Sequence, residues 1–340
     1  MTGEAQPPAA LPDDVRLAME LESVFMPHAT RQRRSFYEND RYAKFVHYTS
    51  AEAALSIIKS KRIWMRNATC MADYREVQHG FDLLSEFFSD GARHGTFIGA
   101  VDECVPGAAS EAMAQFGRWM DRNSTGRIQL NTYIASISEH DSKEDCDGRL
   151  SMWRGFGNNV SRVAIVLKIP WYAGGGLSSL NTIFSPVAYR TAAEVYSEIY
   201  DVIDRVRASH ALLRSVERDR VVTTIFYMLL VGAACVKHRG FHEEREWRAI
   251  YTPKLWPTPL MEPSTEVVRG VPQIVYKLPL DTTVSDDLRE LDLSLMLDRL
   301  IIGPSPYPWA LYEAFVAELS KAGVIGADNR VFASNIPIRA

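Results

Sequence analysis

Lys237-His-Arg-Gly-Phe-His-Glu-Glu-Arg-Glu-Trp-Arg-Ala-Ile-Tyr251 follows a long apolar run, Val221 to Val236, and stops at Thr252-Pro253. The apolar run reads as a buried helix. Gly240 then allows a turn, and Glu244 to Tyr251 alternates as a strand does. Glu244, Glu246, Arg248 and Ile250 fall on one face, with Arg245, Trp247, Ala249 and Tyr251 on the other. Charges beside a core are costly unless they are paired or used. The strand is therefore either an ion-paired strand end or a catalytic Glu-x-Glu strand.

The apolar run is shorter than the roughly 20 residues that a membrane span needs. Thr223, Thr224 and Tyr227 interrupt it, which favours a core helix and no membrane partner. Upstream, Ala192 to Val236 is patterned as two helices, a helical insertion around 191–236. Downstream, Gln273 to Leu278, Leu297 to Ile302 and Val331 to Ala333 read as strands, with a helix over Trp309 to Ala322.

Toward the N-terminus, Ile183 to Tyr189 is a weaker strand broken by Pro186. Gly174-Gly-Gly176 reads as a loop. Val163 to Leu167 and Arg127 to Ser138 read as strands, and Arg149 to Gly157 as a short element ended by glycines. Ser110 to Met120 and Tyr74 to Phe88 read as helices, and Ser89 to Gly107 between them as a surface excursion. Ala43 to Tyr48 alternates, and Thr49-Ser-Ala-Glu52 has the spacing of a capping box opening a helix through Ile58. Asp13 caps a first helix, Met26-Pro27 ends it, and Arg31, Arg33 and Arg34 fall in a polar loop. Met1 to Pro12 reads as a disordered tail. The expected architecture is α+β: one domain over 13–340, with a mixed, largely antiparallel sheet and flanking helices.

Hydrophobic content of 46% and charged content of 24% are those of a globular chain, and a net charge of -4 argues against a strongly basic nucleic-acid binder. Cys70, Cys104, Cys146 and Cys235 form no CxxC pair, which fits reduced thiols in a cytoplasm. The N-terminus carries no secretory pattern.

Motifs narrow the chemistry. His238 and His242 flank Gly240 with no HExxH, so no metal site is expected. No GxSxG, GxGxxG or Walker spacing occurs. What remains is a set of separate strand-end residues: His47 with Tyr48 and Thr49, Ser136 and Ser138, Trp153 with Arg154, and Glu244 with Glu246. An imidazole, an aromatic plate and carboxylates together suit a ligand with sugar hydroxyls and a flat ring. A carboxylate there can stabilise an oxocarbenium-like centre.

The chain resembles the bacterial domain-of-unknown-function 2971 family over roughly residues 43–340. The marks are Val46-His-Tyr-Thr49, Ile63-Trp64, Met71-Ala-Asp-Tyr-Arg-Glu76, Ile137-Ser-Glu139, Leu150-Ser-Met-Trp153, Glu244-Arg-Glu-Trp-Arg248 and Leu300-Ile-Ile-Gly-Pro304. Where that family usually shows Asn-Asp, this chain has Ala72-Asp73. The order of an early His-Tyr-Thr strand, a middle serine strand and a late Glu-x-Glu strand is also similar to ADP-ribosyltransferase folds. That likeness implies NAD as substrate, with His47 and Thr49 contacting it and Glu246 catalytic beside Glu244. Trp64, Tyr133 and Trp153 are alternatives for the stacking aromatic.

The resemblance thus implies NAD-dependent ADP-ribosyl transfer to a protein or nucleic-acid acceptor, as a toxin or phage-defence effector. The alternative is a non-catalytic ligand- or protein-binding module whose carboxylates pair with Arg245, Arg248 or Arg154. A third class, a nucleic-acid-processing enzyme in which two acidic residues with Asp141, Asp145 or Asp147 hold Mg²⁺, sits poorly with the acidity of the chain and its lack of a clustered Lys/Arg stripe. The discriminating geometry is whether His47 and Glu246 face one cleft.

Overall fold

The computed structural model describes residues 12–38, 42–71, 74–120, 128–155, 161–170 and 179–337. The tail expected over Met1–Pro12, Pro12 apart, and the Gly174-Gly-Gly176 loop lie outside the described residues.

The described residues begin with two helices, α1 (Asp13–Phe25) and α2 (Pro27–Phe36). Arg31, Arg33 and Arg34, expected in a loop, lie in α2. Pro27 stands in the first turn of that helix, where its missing N–H has no intrahelical partner to lose, so it starts a helix as readily as it ends one. Next come β1 (Tyr42–Ser50), α3 (Ala51–Ser60) and β2 (Arg62–Asn67). The cap of α3 is Ser50 rather than Thr49: its Oγ accepts the Ala53 N–H at 3.1 Å.

Three helices follow: α4 (Tyr74–Ser89), α5 (Gly91–Asp102) and α6 (Ala108–Met120). Helix α5 replaces the surface excursion expected over 89–107. The Asp90 carboxylate caps it by accepting the Ala92 and Arg93 N–H groups, and Phe97, Ala100 and Val101 are buried. The glycines at 91, 95 and 99 dilute the apolar period, but Phe97, Ala100 and Val101 keep the i, i+3, i+4 spacing of a helix face.

The middle of the chain gives β3 (Tyr133–Glu139), α7 (Leu150–Gly155), β4 (Arg162–Pro170), β5 (Thr182–Pro186) and β6 (Ala188–Tyr189). Strand β3 begins later than expected because Ile128–Asn131 forms a 3₁₀ turn. The helical stretch divides into α8 (Ala192–Ala208), α9 (His210–Ser215) and α10 (Arg218–Ala234), three helices where two were expected. Then come β7 (Val236–Lys237), β8 (Glu246–Tyr251), β9 (Glu262–Val268) and β10 (Val271–Pro279). The chain closes through α11 (Leu293–Met296), β11 (Leu297–Ile302), α12 (Pro308–Lys321) and β12 (Val331–Ala333).

Among the described residues, ten strands form one sheet in the order β12-β11-β4-β1-β3-β2-β10-β9, with β8 paired to β3 and β5 paired to β8. Its pairs are antiparallel except β11 with β12, so the α+β class and the largely antiparallel sheet are as expected. Strand β3 is the pivot. One edge runs along β8 from Tyr133 to Ser138. The other edge pairs with β1 at Ser138 and Glu139, and with β2 at Tyr133 and Ile134. Between those two pairings the sheet is split.

Helices cover both faces. On one, α10 packs against α4 and α6, and Ile134 and Ile250 of the sheet join that core. Gly80 of α4 lets the two helices meet almost backbone to backbone, since a Cβ there would run into the Ala233 carbonyl. On the other face, Ile165 and Leu300 pack with Ile58 of α3 and Phe315 of α12. The β6–β7 ladder pairs Ala188 with Val236 and closes the base of the helical segment between them. No helix among the described residues is long and apolar enough to cross a membrane.

Candidate functional site

The strand that decides the sequence reading starts two residues later than its alternation suggested. Arg239–Glu244 forms a 3₁₀ turn, and Arg245, with φ 43°, reverses the chain in the left-handed region before β8 begins at Glu246. A non-glycine residue rarely sits there. The Arg245 guanidinium is bonded to the Glu144 carboxylate.

Glu246 is 6% exposed and lies among cations. Its Oε1 accepts from Arg248 Nε at 2.9 Å, and its Oε2 accepts from Arg248 Nη2 at 3.3 Å. Lys237 Nζ stands 2.9 Å from Oε2 and 2.7 Å from Glu244 Oε2. Lys237 is 1% exposed and Arg248 is fully buried. Arg248 also donates through Nη1 to the carbonyl of Ala234, the last residue of α10, where helix carbonyls carry partial negative charge. The Glu246 N–H donates to Tyr189 Oη at 2.8 Å. Burial alone would raise the Glu246 carboxyl, but Arg248 and Lys237 outweigh it and hold it at about 2. The site is thus a desolvated cluster of matched charges, with Glu246 ionised.

Cross-strand register sets which residues share this face. Val46 pairs with Ser138, and Ser138 with Glu246; residues directly opposite one another point the same way. Ser136 stands opposite Arg248. The structure therefore brings Ser136, Ser138, Glu246 and Arg248 together on one face, with the Glu244 carboxylate joined to them through Lys237.

His47 and Thr49 occupy the alternate positions of β1 and point to the opposite face. His47 Nδ1 lies 3.1 Å from the Ser136 carbonyl, at the place where β3 leaves β1 for β2. A carbonyl only accepts, so Nδ1 carries the proton. Burial pushes the imidazole below its ordinary value, which keeps it neutral. His47 thus supplies a donor where the ladder between β1 and β3 gives out.

Tyr48 and Trp153 share the Glu246 face but are occupied by each other. Their rings meet edge to face at 4.9 Å. Tyr48 Oη accepts the Arg149 N–H at 2.7 Å, and Trp153 Nε1 donates to the Asp147 carbonyl at 2.8 Å. Trp153 is 1% exposed, and Gly148 and Gly303 lie so close that a Cβ at either would strike its ring. Trp153 is a packed core residue here, while Arg154 is exposed at the end of α7. The acidic loop is engaged too. Asp145 pairs with His140, Lys44 and Arg299, and Asp141 caps the turn that holds Glu144.

Sequence reasoning missed Lys237 and Tyr189. The signal for Lys237 was present: a lysine directly after an apolar helix, with acids seven and nine residues on. Nothing in the sequence marked Tyr189, which reaches Glu246 from a two-residue strand. Among the described residues, no three His, Cys, Asp or Glu side chains are grouped as metal ligands. Compared with protein-family models, curated proteins and solved structures, the chain matches none.

Proposed function

We propose that this chain is a ligand-binding module without transferase chemistry, in which Glu246 holds the structure together. One observation carries the reading: the buried Glu246 carboxylate has both oxygens on cations, Arg248 and Lys237. A carboxylate that stabilises a developing positive charge must keep its field for the transition state. Here that field is neutralised at short range. The arrangement instead fits the ion-paired strand end. The test is incubation of the protein with labelled NAD and a cell lysate. No nicotinamide release and no label transfer are expected; turnover lost in Glu246→Gln overturns the reading.

A second reading, NAD-dependent ADP-ribosyl transfer to a protein or nucleic acid, draws support from strand order. The strands bearing His47, Ser136 and Glu246 are neighbours in the order β1-β3-β8, which suits the likeness to ADP-ribosyltransferase folds. It requires Glu246 to leave Lys237 or Arg248 when NAD binds. Labelled-NAD turnover by the wild-type chain, abolished in Glu246→Gln, would favour it.

A further inference from the structure

Among the described residues, strand β5 pairs with β8 alone, and no other described strand lies on its second edge. Beside that edge, under α1 and α2, runs a cleft of about 400 Å³. Its size is that of a small-molecule site, roughly 300–1,000 Å³. Among the described residues, aromatic side chains reach it from four places: Tyr37 after α2, Phe184 on β5, Tyr227 on α10 and Trp247 on β8. Trp247 comes from the strand that carries Glu246 but points to the opposite face, toward Phe45 and Phe184.

The electrostatics of the cleft are specific. Among the described residues, its charged side chains are Glu22 and Arg33, and these are bonded to each other. Arg33 also donates through Nη2 to the Phe184 carbonyl at 2.7 Å. Burial raises the Tyr37 and Tyr227 hydroxyls above their ordinary value, so both stay protonated. The described lining is therefore aromatic and polar without net charge. An ion of either sign would have to compete for Arg33 or Glu22, which already hold each other, or remain uncompensated, and an unpaired charge in the cleft is costly.

We propose that this cleft binds an uncharged, flat heterocycle of nucleobase size, a proposal that rests on the reading of the chain as a ligand-binding module. A ring of that class gains from aromatic faces and can exchange hydrogen bonds with hydroxyl and amide groups without bringing charge. The test is calorimetric titration of the full chain with adenine, and with the near-isosteric pair benzamide and benzoate. Adenine and benzamide should bind, with benzoate at least tenfold weaker. Phe184→Leu and Tyr227→Leu keep apolar bulk but remove a ring, and each should weaken binding about fivefold. If either fails to fold, Thr182→Trp at the cleft edge should block binding instead. Equal or tighter binding of benzoate, or no binding of adenine and benzamide, overturns the proposal. Adenine binding that survives the cleft substitutions also overturns it, while leaving the binding-module reading intact.

Discussion

His47 and Glu246 stand on opposite faces of one sheet, although β3 alone separates their strands. Two residues placed this way do not close on one ligand without a change in the strands that carry them. Each has instead found a local partner: His47 the Ser136 carbonyl, Glu246 the Arg248 and Lys237 cations.

The first prediction concerns the charge cluster. Glu246→Gln should lower stability by about 3 kcal/mol, because it leaves two buried cations facing an amide. Thermal unfolding followed by circular dichroism measures this. An unchanged melting temperature would mean that the cluster contributes little and would reopen a functional role for the carboxylate.

The same residue sets an acid limb. Its carboxyl lies at about 2 in the fold against an ordinary 4.5. A depressed carboxylate stabilises above its unfolded value and loses that contribution as pH falls toward its folded value. Stability of the wild type should therefore decline between about pH 4.5 and 2, with about 3 kcal/mol of the loss due to this group. In Glu246→Gln that part of the decline should vanish. Urea titrations across this range give the slope for both proteins, and parallel slopes would show that another group controls the limb.

His47 should act on the fold. His47→Leu removes the donor to the Ser136 carbonyl at the split in the sheet, at a cost of about 1–3 kcal/mol. His47→Gln, which retains an amide donor, should recover part of this. Urea midpoints for the three proteins make the comparison. A His47→Leu protein as stable as wild type would show that the carbonyl finds another donor.

Gly80 is required by a close helix crossing. Gly80→Ala places a methyl group against the Ala233 carbonyl, and α4 must move off α10. Overpacking of this kind costs about 1–3 kcal/mol. Gly95→Ala in α5, where a Cβ meets nothing within 4 Å, is the control and should be neutral or slightly stabilising. Chemical denaturation of the pair decides the matter, and equal midpoints would exclude the contact as a constraint.

The strands were legible where apolar residues alternated or ran together. Ala43–Tyr48, Val163–Leu167 and Leu297–Ile302 all lie within the observed strands. The alternation at Glu244 misled because Glu244 and Arg245 match the pattern while lying in a 3₁₀ turn and a left-handed residue. Helix α5 was hidden by its glycines. The edge strand β9 was missed, since Glu262 to Val268 shows neither period clearly. In the site, the carboxylates and one partner, Arg248, could be seen, but Lys237 and Tyr189 were missed. Lys237 is adjacent only after the 239–244 turn folds back, and Tyr189 arrives from across the helical segment. Face assignment was the deeper obstacle. Sequence parity places His47 and Glu246 on alternating rows, but only the register through Ser138 tells which rows coincide.

Arg248 holds Glu246 with one side of its guanidinium and the Ala234 carbonyl with another. This makes the end of a long helix and the start of a central strand share one electrostatic fate. If α10 frays from its C-terminus, Arg248 loses an acceptor in a place water does not reach; if β8 loosens, the helix end loses its cation. Partial opening is penalised from either direction, so the helical layer and the sheet should exchange their amide protons as one cooperative unit.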